Sequence, residues 1–300
     1  MLDDLRLVYA PVPKAGSTSI LWALAELAGL KPEDFAQSQK LEVTRALTVH
    51  DGSIWGSAHR LEGRSTEEVE AILGSDGWFR VTVVREPVRR LWSSWASKVL
   101  VRDPRVAAVF GDAEPPSISS ARDVVDAFRT FVCALPDRAD WHDRHWTSQA
   151  DLIGVSDVAY DHVGRLEEFD RTIAVLREYV GPKGGGLPPL RHENPSILPF
   201  APGVYDGAAR AACDAWTARD REAFGYEPPW DGPEEPGDAW YAAAEATIPA
   251  IHAVIERNDR IADLRTMLLN GGWELPAPVV ATRGGVRRIG SRLRRTVGGL

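Results

Sequence analysis

Two short segments of this 300-residue chain each read as a β-strand that runs into a turn rich in anion-binding groups and then into a helix. The first begins with Leu5-Arg6-Leu7-Val8-Tyr9, a short apolar strand stopped by Pro11 and Pro13. From Ser17 the apolar spacing becomes helical, with Ile20, Leu24 and Leu27 on one face and Gly29 as the stop. Lys14, Gly16, Ser17, Thr18 and Ser19 therefore occupy a strand-to-helix turn, where unpaired backbone N–H groups and the helix dipole favour an anion. Gly16 lets the backbone approach a ligand closely, Lys14 adds a mobile charge, and the hydroxyls add donors. This is not the nucleotide-triphosphate loop G-x-x-x-x-G-K-[ST], because Lys14 precedes its glycine and the upstream glycine is missing. Taken alone, the segment is equally readable as a plain helix start with a surface lysine.

The second segment, Phe79 to Val84, is another apolar strand, ending at Arg85. Glu86-Pro87 breaks it, and Pro87 suits the first turn of a new helix. Arg90 and Ser93 share a face of that helix. Arg85 and Ser93 are placed to converge on one phosphate, for which guanidinium is a natural bidentate partner. Leu91, Trp92 and Trp95 pack the helix on the sheet. The competing reading is an exposed arginine-rich face paired with Glu86. Two anion sites on one sheet point to a ligand carrying two separate phosphate clusters.

Together the segments resemble the sulfotransferase superfamily, most closely the carbohydrate sulfotransferases of the chondroitin, dermatan and HNK-1 type and their bacterial relatives. Pro13-Lys14-Ala15-Gly16-Ser17-Thr18-Ser19 matches that family's P-K-x-[GA]-[SC]-T-[SN] loop. Arg85-Glu86-Pro87-Val88-Arg89-Arg90-Leu91-Trp92-Ser93 matches R-[DH]-P-x-x-R-[LF]-x-S, with Glu86 in place of Asp or His. Further on, His145-Trp146-Thr147-Ser148-Gln149 resembles H-W-x-P-Q, and Tyr160 to Glu167 resembles Y-D-x-[IV]-G-[KR]-x-E. Asn194 and Ser196 resemble an N-x-S element, and Asp220 to Tyr226 resembles D-x-x-x-F-G-Y. The order agrees across residues 5–228.

The resemblance implies a three-layer, P-loop-like α/β fold with a central parallel sheet flanked by helices. It also implies PAPS (3′-phosphoadenosine 5′-phosphosulfate) as sulfuryl donor, 3′,5′-ADP as product and no metal. Lys14, Gly16, Ser17, Thr18 and Ser19 then take the 5′-phosphosulfate, and Arg85, Arg90 and Ser93 the 3′-phosphate. Lys14 stabilises charge on the leaving phosphate. A histidine is the expected base, since imidazole suits proton abstraction near neutral pH. Related uronyl 2-sulfotransferases use a histidine in the stretch corresponding to Trp55-Gly56-Ser57-Ala58-His59, which favours His59; His50 and His145 are the alternatives. The acceptor is expected to be a hydroxyl of a glycan, glycolipid or other glycoconjugate, with His145, Trp146, Arg191 and His192 as candidate contacts. Another nucleotide-dependent phospho- or glycosyltransferase, or a nucleotide-binding protein without turnover, stays open as a reading.

At 44% hydrophobic residues the chain is able to bury a substantial core, and its net charge of −8 argues against general nucleic-acid binding. No uncharged apolar run of ~18 residues predicts a membrane span. The chain enters a strand almost at once, so no signal peptide is expected, and a cytoplasmic location is the simplest expectation. Cys133 and Cys213 fall in expected helices and indicate no disulfide framework. Ser65-Thr66-Glu67-Glu68 reads as a capping box opening a helix to Leu73. Residues 101–120 read as a loop, and a helix follows with Val124, Val125, Phe128, Phe131 and Val132 on its apolar face. Residues 151–155 and 162–166 read as strands, and Phe169 to Val180 as an amphipathic helix. The expected division is a domain over 1–228, a linker and helical extension over 229–281, and a basic tail over 282–300. Ile248, Ile251, Ile255, Ile261, Leu264 and Leu268 form an apolar stripe expected to pack on the domain. The tail carries six arginines and no acid. It reads either as an amphipathic helix on an anionic membrane surface or as a solvated tail.

Overall fold

Three short strands, the first two rich in apolar residues, form a parallel sheet in the order β1 (Leu7–Ala10), β2 (Phe79–Val84), β3 (His162–Arg165). Leu7 pairs with Phe79 and Ala10 with Thr82; Val81 pairs with His162 and Val84 with Arg165. Parallel strands need crossovers, and helices supply them. The computed structural model describes residues 1–38, 40, 43–110, 115–138, 140–183, 186–191 and 196–271. Its longer helices are α1 (Ser17–Leu27), α2 (Thr66–Gly74), α3 (Pro87–Lys98), α4 (Ala121–Ala134), α5 (Phe169–Val180), α6 (Gly207–Phe224) and α7 (Asp238–Asn270). The expected α/β architecture, a parallel sheet flanked by helices, is therefore present.

Local chemistry sets the helix boundaries. Ser65 and Glu68 close the expected capping box on α2, and Ser120 with Asp123 forms a second on α4. Glu86, the residue that departs from the family pattern, caps α3: its carboxylate accepts from the N–H groups of Val88 and Arg89 at 2.9 and 2.8 Å. A longer acid performs the capping that Asp would. Residues 151–155 are not a strand. Ser148 caps a single-turn helix, Gln149–Leu152, and Gly154 takes a left-handed φ of 60° just beyond it.

One core cluster gathers sheet residues Leu7, Tyr9, Val81 and Val83 with Ile20 and Leu24 of α1 and Ile173 and Leu176 of α5. A second centres on Trp92 and Trp95 of α3, Phe128 of α4, Trp146, Tyr205 and α7. Trp240, Ala244, Ile248, Ile251 and Ile255 of α7 are all buried there, so the front half of the C-terminal helix belongs to the core of the domain. Its far end does not: Leu264 and Met267 are exposed. The segment before α7 is docked rather than free. Glu235 pairs with Arg122 and Arg129, Trp230 donates to Asp214, and Gly203 lies so close to the Glu235 backbone that a Cβ would clash. Residues 282–300 and His192 and Asn194 lie outside the described residues. Among the described residues no helix is long and apolar enough to cross a membrane.

Candidate active site

Both predicted anion segments emerge at the carboxyl ends of adjacent strands, the place where open α/β sheets hold ligands. The loop after β1 turns through two left-handed residues, Lys14 at φ 68° and Gly16 at φ 76°. The left-handed φ favours glycine at position 16, and a Cβ there would also be tight, 3.1 Å from both Leu166 Cδ1 and Phe169 Cε2. It is the N-cap of α1, and no side chain caps that helix. Alternating backbone of this kind aims N–H groups into an anion-binding concavity. Burial, with Lys98, Arg85 and Arg105 nearby, lowers the Lys14 ammonium to about 7.

The loop hydroxyls are divided among different tasks. Thr18 Oγ1 lies 3.0 Å from His50 Nε2. Ser19 Oγ donates to the Arg191 carbonyl at 2.6 Å. Ser17 is buried, and its hydroxyl has no partner among the described residues. Arg191 thus reaches the loop through its backbone, while its guanidinium stacks over the Trp22 ring at 4.7 Å.

The two arginines of the second segment behave differently. Arg85 contacts the first loop directly, Nη1 donating to the Lys14 carbonyl at 3.2 Å, and makes no other side-chain hydrogen bond among the described residues. Its backbone is bracketed by the buried amide of Gln149: Arg85 N–H donates to Oε1 at 2.9 Å, and Nε2 donates back to the Arg85 carbonyl at 2.8 Å. Gln149 is held in turn by Asp220, which also accepts from Ser148 Oγ and the Ala150 N–H. Ser93, two turns into α3, is buried with no hydroxyl partner among the described residues.

Arg90, expected beside the 3′-phosphate, is instead spent on carbonyls. Nε donates to Pro13 at 3.1 Å, Nη1 to Thr147 at 2.9 Å and Nη2 to Arg144 at 2.9 Å. It is fully enclosed and serves as a bracket that ties the loop to the 143–147 turn. Trp146, expected at the acceptor, is 2% exposed, and its Nε1 donates to the Trp141 carbonyl. Its indole is core.

The histidines are redistributed as well. His59 lies at the amino end of β1, the end opposite the loop: its Nδ1 is 3.2 Å from the Met1 carbonyl, and its own carbonyl accepts from the Met1 ammonium. Leu2 bridges Leu7 beside it. The length of β1 lies between this end and the Lys14 loop. His50 and His145 stand near the loop instead. Burial, together with Arg144, Arg105 and Lys98, pushes His50 down to about 4. Burial lowers His145 to about 4, with Lys98 and Lys14 adding to the effect and a bond to Asp143 opposing it. The sequence did not point to Lys98, Asp103 and Arg105, whose Asp103 carboxylate holds Lys98 at 2.7 Å and Arg105 at 2.6 Å. It did not point to Asp143 either, though the Asp-x-His spacing was a signal for it.

The later motifs brace the two sites. Glu167 accepts from the Glu86 N–H at 2.9 Å and from the Tyr226 hydroxyl at 3.0 Å. Arg165 donates to the Phe224 carbonyl and lies over the Tyr226 ring. Asp161 pairs with Arg80 of β2 at 2.9 Å.

No solved structure matches significantly. Carbohydrate sulfotransferase 10 of Danio rerio is 25% identical over 200 residues, covering 61% of this chain and 52% of the relative. The chain thus spans about half the length of the curated relative it matches. The family model described as "Sulfotransferase family" matches residues 1–184, a stretch that holds the loop, Arg85, Ser93, both nearby histidines and the Glu167 brace. With a matching family model over more than half its length, this chain belongs to the sulfotransferase family.

Proposed function

We propose that the protein transfers a sulfuryl group from PAPS to a hydroxyl of a carbohydrate or glycoconjugate. The observation that carries this reading is the direct contact of the two anion sites, Arg85 Nη1 on the Lys14 carbonyl, on neighbouring strand ends. A ligand with a phosphate at each of two ends, as PAPS has, is able to engage both. The residues fit it. The loop turns through left-handed residues at Lys14 and Gly16, α1 offers N–H groups that no side chain caps, and among the described residues Arg85 and Ser93 keep polar atoms free while Arg90 does not.

When bound, the donor supplies an activated sulfuryl group on a good phosphate leaving group. The chain has to align the acceptor, hold charge and move one proton. Lys14 meets the leaving phosphate, and an anion beside it raises its depressed pKa and keeps it protonated. Ser17 and the α1 N–H groups donate to the same phosphate. Arg85 and Ser93 hold the second phosphate, with Gln149 fixing the Arg85 backbone. The base is a histidine at the loop, His50 or His145, rather than His59. The relative's printed name supports a carbohydrate acceptor.

Calorimetry of 3′,5′-ADP and 5′-AMP tests this. Micromolar binding of 3′,5′-ADP that is lost in Arg85→Ala, and not matched by 5′-AMP, supports the two-site reading. Equal affinity for the two nucleotides refutes it.

A further inference from the structure

His50 meets the loop at Thr18 and His145 feels the charge of Lys14, and their hydrogen bonds assign them different tasks. His145 Nδ1 lies 2.5 Å from Asp143 Oδ1, and the same oxygen accepts the His145 backbone N–H at 2.8 Å. A carboxylate only accepts. Burial works to raise the Asp143 carboxyl, but the bonds from the His145 side chain and backbone outweigh it and hold it below its usual range. The proton of the neutral imidazole is therefore on Nδ1, and Nε2 keeps an open lone pair. Nε2 has no hydrogen-bond partner among the described residues, and the side chain is 17% exposed. His50 differs: its Nε2 is occupied by the Thr18 hydroxyl.

The mount of His145 is rigid and shared with the anion loop. Trp146 and Thr147 donate their N–H groups to the Asp143 carbonyl, and Ser94 Oγ donates to the His145 carbonyl at 2.6 Å. The buried Trp146 indole pins the turn to the core. Arg90 completes it, because the guanidinium that holds the Arg144 and Thr147 carbonyls also holds Pro13, the residue before Lys14. One buried side chain thereby sets the distance between imidazole and loop. Charged groups facing the imidazole are Asp143, Lys98 and Lys14.

Resting on the sulfotransferase reading, we infer that Asp143 and His145 form the general-base pair of the reaction, with His50 a positioning residue that holds Thr18 in the loop. The acceptor O–H gives its proton to Nε2, and its electron pair forms the new bond to sulfur. The bond from sulfur to the bridging oxygen breaks, and that pair leaves with the 5′-phosphate. Asp143 stays ionised, keeps the productive tautomer and stabilises the imidazolium. General-base catalysis of this kind contributes roughly 10²–10⁴-fold.

Two measurements on the full chain test the assignment. Long-range 1H–15N spectra of the imidazoles read the tautomer without any acceptor: His145 is expected as the Nδ1–H form, with the preference lost in Asp143→Ala. Release of free sulfate from radiolabelled PAPS, with water as acceptor, reads turnover. His145→Gln and Asp143→Asn are expected to lower it by at least 10²-fold and 10-fold. The affinity of each for 3′,5′-ADP should stay within threefold of wild type, and added imidazole should partly restore a His145→Ala variant. His50→Ala is expected to weaken 3′,5′-ADP binding instead. Sulfate release within threefold of wild type in His145→Gln, or an Nε2–H tautomer in wild type, overturns the pair. Absence of 3′,5′-ADP binding in wild type overturns the donor reading itself, a result the tautomer measurement keeps separate.

Discussion

If Lys14 meets the donor as proposed, donor binding is expected to take up a proton. Burial and the neighbouring Lys98, Arg85 and Arg105 bring its ammonium to about 7 in the free protein. A phosphate on the loop favours the charged form, so the pKa in the complex lies above that of the free protein. Between the two values, binding takes up a proton. At pH 8 a group titrating one unit lower is roughly one-tenth protonated, so binding that needs the ammonium is weakened about tenfold, or ~1.4 kcal/mol, relative to pH well below 7. About 0.9 proton enters per 3′,5′-ADP bound at pH 8. His50 and His145, both at about 4, are neutral throughout this window in the free protein. Calorimetry in buffers of different ionisation enthalpy reads the uptake directly, at a pH where the ligand's own phosphates are already ionised. In Lys14→Met the uptake should vanish, along with the fall in affinity from pH 7 to 9. The same residue works against folding. Its folded pKa is below the unfolded 10.5, so the unfolded chain binds more protons between about 7 and 10.5. Wild-type stability without ligand should therefore rise with pH across that window, and Lys14→Met should flatten the curve and raise the melting temperature most at its lower end. Uptake that is absent, or unchanged in Lys14→Met, refutes the depressed ammonium as the linked group.

Two further substitutions separate bracing from binding. Arg90→Ala leaves the Pro13, Arg144 and Thr147 carbonyls without their donor, and should destabilise the fold by roughly 3–5 kcal/mol in urea melts, whereas Arg85→Ala should cost under about 1 kcal/mol while abolishing 3′,5′-ADP binding. If Arg90→Ala melts like wild type and only loses ligand, the bracket is a ligand group after all. Gly164→Ala places a Cβ 2.0 Å from Thr172 Oγ1 at the buried face of α5 and should cost about 1–3 kcal/mol, relieved in part by Thr172→Ala in the double variant. Equal melting of the two single variants and the double would show that β3 and α5 shift apart freely.

Much of the fold was legible because its signals are local. Apolar runs of strand length, the Ser65/Glu68 box and Pro87 at the start of α3 each specify backbone from a few neighbouring residues. Residues 151–155 misled for the same reason. Their apolar content suits a strand, but Ser148 and Gly154 impose a capped turn of helix, and Asp220, some seventy positions away, holds that turn in place. The domain division was drawn where prolines and glycines cluster. The contacts that dock residues 229–237, such as Gly203 against Glu235, are long-range and leave no mark on composition.

At the site, residue types were legible and their partners were not. Arg85 and Arg90 stand five apart in one motif and look alike in sequence, yet among the described residues one guanidinium makes a single bond, to the loop, and the other is spent on three carbonyls. The difference arises because Arg90 lies on the buried face of α3, where the loop and the 143–147 turn meet, and an enclosed guanidinium has to satisfy its donors. The histidines follow the same logic. Resemblance to the uronyl 2-sulfotransferases favoured His59, which lies between the two segments, but a parallel sheet puts functional groups at the carboxyl ends of its strands and sends the intervening chain to the other end. His59 meets the chain at that other end, against Met1. His145, 131 positions after Lys14, arrives at the loop because Arg90 spans Pro13 and its turn. The ordered motifs from residue 145 to 226 are thus best understood as one bracing system. Gln149 with Asp220 fixes Arg85, Glu167 with Tyr226 fixes Glu86, and each joins two motifs that no short window contains.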